Sequence, residues 1–158
     1  MVERNGLEFG VYYSLTLCEM HARFWGRADK WLSFLQIALG SAVFASVGDT
    51  MVFGGLLVAM TAFTFVWQPG VTAMKFAMQR QKYQELAHKM VKLSDEELSA
   101  AISDISENDP SEFGLLTNPA EARASIRMRG SPNIELTIWE KIMAWLAGDL
   151  PSVNVKPR

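Results

Sequence analysis

Two apolar runs dominate the polarity pattern of this chain. They are Trp31–Val47 (WLSFLQIALGSAVFASV) and Met51–Trp67 (MVFGGLLVAMTAFTFVW), separated by Gly48-Asp49-Thr50, and neither contains a charge. At about 1.5 Å per residue each run makes a helix about 25 Å long. One further turn of mixed residues at either end reaches the hydrocarbon thickness of about 30 Å. Two such runs in succession predict a transmembrane helical hairpin, with its turn at 48–50. The alternatives are a hairpin buried in a soluble core, or a re-entrant loop that enters the bilayer without crossing it.

The flanks have a different period. Residues 1–10 carry two glycines and are expected to be loose. From Val11 to Lys30 the spacing becomes helical, with Val11, Leu15, Cys18 and Ala22 on one face. Beyond the hairpin, Gln68-Pro69-Gly70 predicts a kink or break, because proline removes an intrahelical bond. Val71–Leu93 resumes as an amphipathic helix through Met74, Met78, Leu86, Met90 and Leu93. It is expected to lie on headgroups or to pack against Val11–Lys30 as a stalk. Further on, Ser94 with Glu97 and Thr137 with Glu140 have capping-box spacing, and Asn118-Pro119 reads as a cap followed by a first-turn proline. Ile138, Ile142, Trp145 and Leu146 share one side of the last helix, which either packs on the stalk or touches the membrane. The predicted fold is all-α: an N-terminal amphipathic cytoplasmic helix (1–30), the hairpin (31–67), a basic juxtamembrane helix (68–93), an acidic helical tail (94–150) and a disordered end (151–158).

Charge orients this arrangement. The formal net charge of −2 hides a segregation: Lys75, Arg80, Lys82, Lys89 and Lys92 follow the hairpin, whereas 95–121 is mostly acidic. Arg23, Arg27 and Lys30 precede the first run, and the turn offers only Asp49. The positive-inside rule then places both termini in the cytoplasm of a cell whose inner membrane holds the hairpin. Arg23, Trp25, Arg27, Lys30, Trp31, Trp67 and Lys75 become candidate interface anchors, since indole rings sit at headgroup depth and long cationic chains snorkel. The mean hydropathy of +0.08 is nearly neutral because the apolar runs are diluted by the polar tail. No uniformly basic face suits nucleic acid, so none is expected as a partner.

Within the runs, small residues recur four apart: Ala38 with Ala42, Ser41 with Ala45, and Gly55 with Ala59. Such positions let helices approach closely in lipid, within the hairpin or between copies. A weakly polar stripe accompanies them, with Ser33, Gln36 and Gly40 on the first helix and Thr61, Thr64 and Gln68 on the second. It either lines water in a homo-oligomer or hydrogen-bonds a neighbouring helix or its own backbone.

Catalytic chemistry is not expected. His21 and His88 lie on flanking helices, and Cys18 with His21 on one helix is a poor nucleophile pair. The single cysteine excludes a disulfide framework and a zinc pattern. Leu15-Thr16-Leu17-Cys18 has only a distant likeness to a lipoprotein cleavage box, because Leu17 is bulky where a small residue belongs. No cleavable signal peptide is read before Trp31, so the hairpin itself is expected to direct insertion. Asp104, Glu107 and Asp109 match no calcium loop, and Gly54-Gly55 lies inside an apolar run rather than in a phosphate loop. Ionisable residues, the usual mark of an ion carrier, are missing from the runs. No cofactor and no metal are expected.

The order of parts is similar to the SLATT family. A basic, aromatic lead-in (HARFWGRADKW) precedes a hairpin with a minimal turn. A long basic helix with Arg80, Tyr83 and Leu86 follows, then Asp109-Pro110 and an alanine-rich helix, covering His21 to Gly130. SLATT domains are two-transmembrane effectors that accompany nucleotide-second-messenger synthetases and sensors in prokaryotic conflict systems. The resemblance implies an oligomeric effector that permeabilises the inner membrane when triggered, and it implies no catalytic residues. The departure is that no nucleotide sensor is fused within this sequence, so the trigger is expected from a separate cytosolic partner. A phage holin belongs to the same mechanistic class. The second expectation is a membrane-anchored scaffold whose acidic tail recruits a cytosolic protein.

Overall fold

The computed structural model describes residues 4–46, 48–130 and 134–150. All the regular structure among them is helical, with no strand. The expected disorder of 151–158, the first three residues and Val47 lie outside the described residues.

The organising element is α1, Arg4–Phe44, a single helix of 41 residues and hence about 60 Å long. The chain is already helical through Gly6 and Gly10, which corrects the expected looseness for residues 4–10, and the helix continues unbroken into the first apolar run. At Lys30-Trp31 the side-chain polarity changes while the backbone continues. From Arg4 on, the segment is held rather than loose. The Arg4 guanidinium bonds Glu8 at 3.0 Å, the Leu93 carbonyl at 2.9 Å and Asp95 at 3.1 Å, and it also reaches the Met90 carbonyl.

After Phe44 the chain turns through Ala45 and Ser46, and α2 runs from Thr50 to Trp67. Asp49 caps α2, its carboxylate accepting from the amides of Met51 at 3.0 Å and Val52 at 3.3 Å. Gln68 then takes a left-handed conformation (φ 43°, ψ 57°) that separates α2 from α3, Pro69–Lys89. Pro69 occupies the first turn of α3, where its missing N–H leaves no bond unmade. A 3₁₀ turn at Met90–Lys92 leads to α4, Asp95–Ser106, whose N-terminus carries the Ser94–Glu97 capping box. A second 3₁₀ turn, Gly114–Leu116, precedes α5, Thr117–Arg129, which ends at left-handed Gly130. The last helix, α6, spans Ile138–Leu146 and begins with the Thr137–Glu140 capping box.

The core is laid along the first half of α1. Leu7 and Val11 pack with Leu86, Met90 and Leu98. Leu15 and Cys18 pack with Phe76 and Tyr83. On another side of α1, Leu17 and Met20 meet Leu116, Ala120 and Ala147. The pairings make α3 antiparallel to α1, while α5 and α6 cover a different flank. The acidic tail is therefore built onto α1 and does not form a separate lobe.

One face and one cap differ from the expectation, and α6 shows which of its sides is covered. On α3 the buried residues are Pro69, Phe76, Gln79, Tyr83 and Leu86, whereas Met74 and Met78 are exposed. Phe76 and Tyr83 are the larger rings, and facing α1 they fill more volume than the methionines would. Asn118 does not cap α5. It lies inside the first turn, and its amide donates to Glu140 at 2.7 Å. On α6 the buried side is Glu140 and Ala144, with Ala147 just beyond, while Ile138, Trp139, Ile142, Trp145 and Leu146 are exposed. Ala147 packs with Leu116, Ala120 and the α1 residues Leu17 and Met20, and the bulky stripe is left outside.

Candidate functional site

Beyond Lys30 the character of the surface changes. No residue of α2 is buried. Trp31, Phe34, Ile37 and Phe44 of α1 join Met51, Val58, Phe65 and Val66 of α2 in one exposed apolar surface. Among the described residues, one helical stretch, Thr50–Lys92, is long and apolar enough to cross a membrane; its most apolar 18 residues have a mean hydropathy of 1.8, and none of those 18 is buried. The α1 helix does not qualify by itself, because Arg27, Asp29 and Lys30 fall within a span's length of Phe44.

The end of α1 and α2 lie alongside each other, running antiparallel. The Gln36 amide donates to the Thr64 hydroxyl at 3.0 Å. A side chain at Gly40 would put its Cβ 3.9 Å from Leu57, an ordinary contact. Three of the six stripe residues, Gln36, Gly40 and Thr64, are thus brought between the helices, whereas Ser33, Thr61 and Gln68 are exposed. The Thr61 hydroxyl donates to its own helix, at Leu57 O 2.8 Å away. Of the small residues, Ala42 is half-buried, while Ala38, Gly55 and Ala59 are exposed.

The interface candidates divide in the same way. Lys30, Trp31, Trp67 and Lys75 are exposed. Trp31 sits edge-on to Phe34 with 5.9 Å between centroids, and Trp67 stacks on Phe63 at 5.2 Å. Arg23 pairs with Glu19 at 2.5 Å. Trp25 is half-buried against the Leu15, Cys18, Phe76 and Tyr83 cluster. Arg27 reaches sideways, donating to the Leu146 carbonyl at 2.7 Å at the end of α6.

A polar centre among α1, α3 and the 105–113 segment is one that no sequence spacing points to. The buried Tyr83 hydroxyl donates to Asp109 at 2.7 Å, and Gln79 donates to the same carboxylate at 2.7 Å and to the Ile105 carbonyl at 2.5 Å. Burial, then Asp109, push the Tyr83 phenol well up. His21 is fully buried, stacked on Phe76 at 4.5 Å, with Nδ1 2.9 Å from Leu17 O and Nε2 accepting from the Phe113 amide at 2.9 Å. Burial pulls its pKa down. Burial pushes the Cys18 thiol up to about 12, with Asp109 and Glu112 adding to it. These groups tie the 105–113 segment to α1 and α3. A Tyr with an Asp on a distant loop has no sequence spacing to reveal it. Among the described residues no group of His, Cys, Asp or Glu is placed to hold a metal ion.

Compared with protein-family models, curated proteins and solved structures, the chain matches none.

Proposed function

We propose that this is an integral membrane protein in which the end of α1 and α2 cross the inner membrane as a hairpin, with both termini cytoplasmic. On this reading, copies assemble into an effector that perturbs that membrane. The observation that carries the membrane part is the exposed, charge-free surface of α2 and the end of α1. An apolar surface of that extent is unfavourable in water and suited to lipid. The segregation of Arg23, Arg27, Lys30 and Lys75 to one end supports the orientation. The resemblance to SLATT domains supports the effector role, with exposed Ser33 and Thr61 available to a neighbouring copy and a separate cytosolic partner as the trigger.

A second reading is favoured by the Gln36–Thr64 hydrogen bond, which satisfies the central polar pair within one chain. Here the hairpin only anchors, and the cytoplasmic helices recruit a partner. Membrane potential in cells induced for the native chain separates the two, measured beside a Gln36→Leu, Thr64→Leu variant at equal membrane levels. Depolarisation by the native chain and its loss in the variant are the outcome expected of the effector. Silence of both leaves the anchor.

A further inference from the structure

The exposed bulky face of α6 does not stand in open solvent along its whole length. Near its C-terminal end, Trp145, Leu146 and Leu150 face Phe24, Ala28 and Trp31 of α1 across a groove of about 890 Å³. A second hollow of about 370 Å³ shares Arg27 and Trp31 with it and continues past Lys30 to Phe34. The larger volume is in the range of cavities that hold small organic ligands. The walls are apolar, and the groove opens at Trp31, where the exposed charge-free end of α1 begins.

Its charges are of one sign. Arg27 and Lys30 stand at the rim, both exposed. The acid between them, Asp29, is turned away: its carboxylate oxygen lies 3.0 Å from where a side chain on Gly70 would begin, at the first turn of α3. Arg27 is held in place by the Leu146 carbonyl at 2.7 Å. It also occupies the space that a side chain on Gly148 would need, and Gly148 has φ +75°. That glycine both ends α6 and makes room for the guanidinium.

We propose that this groove binds one anionic phospholipid of the cytoplasmic leaflet, its phosphate on Arg27 and Lys30 and its acyl chains along Trp31, Phe34 and Leu146. The inference rests on the membrane reading above and adds a specific lipid site to it. It gives α6 a reason to face outward: the apolar stripe completes a lipid-facing wall that packing on α5 would have buried. Cationic side chains at a membrane surface select anionic headgroups, and Arg suits the phosphate by its planar fork of donors.

The test is retention of lipid by the full chain extracted into mild detergent from membranes containing phosphatidylglycerol and phosphatidylethanolamine, counted by mass spectrometry. The native chain is expected to keep phosphatidylglycerol in preference. The Arg27→Gln, Lys30→Gln variant is expected to keep about tenfold less. Since Arg27 also holds the end of α6, Lys30→Gln alone is the second variant, and it should lower retention in the same direction. Lys89→Gln with Lys92→Gln, at the far end of α3 and in the 3₁₀ turn after it, away from the groove, should retain the native amount. Flotation with phosphatidylcholine vesicles is measured in parallel. A chain that floats but retains phosphatidylglycerol equally with and without Lys30 and Arg27 overturns the groove alone. A chain that does not float overturns the membrane reading and the groove with it.

Discussion

His21 is held neutral by its surroundings. Its Nδ1–H is directed at the Leu17 carbonyl, and its Nε2 takes a proton-side contact from the Phe113 amide. Burial disfavours the charged form in the folded chain, and protonating Nε2 would also set it as a donor against the Phe113 amide. The unfolded chain therefore binds more protons as pH falls below about 6.5, and stability rises with pH through that window. The contribution is complete above the unfolded value and is lost as pH drops towards the lowered folded value. Thermal unfolding from pH 7.5 to 5.5 should accordingly show a falling Tm that is flatter in His21→Gln. Parallel slopes in the two proteins would remove His21 from the account. Comparing the two also cancels Glu112, whose carboxyl burial holds up.

At the scale of elements, capping and packing are separable. The two boxes, Ser94–Glu97 and Thr137–Glu140, form where their spacing predicts, because a cap depends only on four consecutive residues. Glu140 does more than close its box: it also takes the Asn118 amide at 2.7 Å, fastening α6 to the first turn of α5. Thr137→Ala should cost about 1 kcal/mol, lowering Tm by about 2–4 °C and speeding hydrogen exchange at the start of α6 before α1 responds. Uniform exchange across both helices would mean that α6 and α1 open as one unit. Neither apolar stripe, on α3 or on α6, shows which way its helix turns. Periodicity identifies a face, and only the partner decides whether that face is buried. On α3 the partner α1 takes the rings, and at the end of α6 Ala147 goes in against Leu17, Met20, Leu116 and Ala120.

At the scale of the molecule, α1 belongs to two environments. Its first half carries the buried core residues, and its end lies along α2 with Trp31, Phe34, Ile37 and Phe44 exposed. Under the proposed orientation the turn between α1 and α2 faces outside, while α4–α6 remain in the cytoplasm. Cys18 makes this testable, since it is buried with its thiol pushed up to about 12 and so is poorly reactive. A Thr50→Cys chain should therefore react with an impermeant maleimide on intact cells, whereas Lys92→Cys should react only after lysis. The opposite pattern would invert the topology, and labelling of both sites only after lysis would place the turn inside.

Local chemistry is what the sequence determined alone. The charge-free runs, the capping boxes, the break at Gln68-Pro69 and the all-helical character each follow from a few neighbouring residues and the backbone geometry they allow. The tertiary structure decided whatever depends on a partner distant in sequence. It made α1 continuous through Lys30, joined Tyr83 and Gln79 to Asp109, and paired Gln36 with Thr64. It also turned the bulky side of α6 outward beside Arg27 and Trp31. The physical reason is the same in each case: a side chain's type sets what it can bond or bury, but burial and bonding are properties of pairs. These pairs join elements that lie far apart in the sequence.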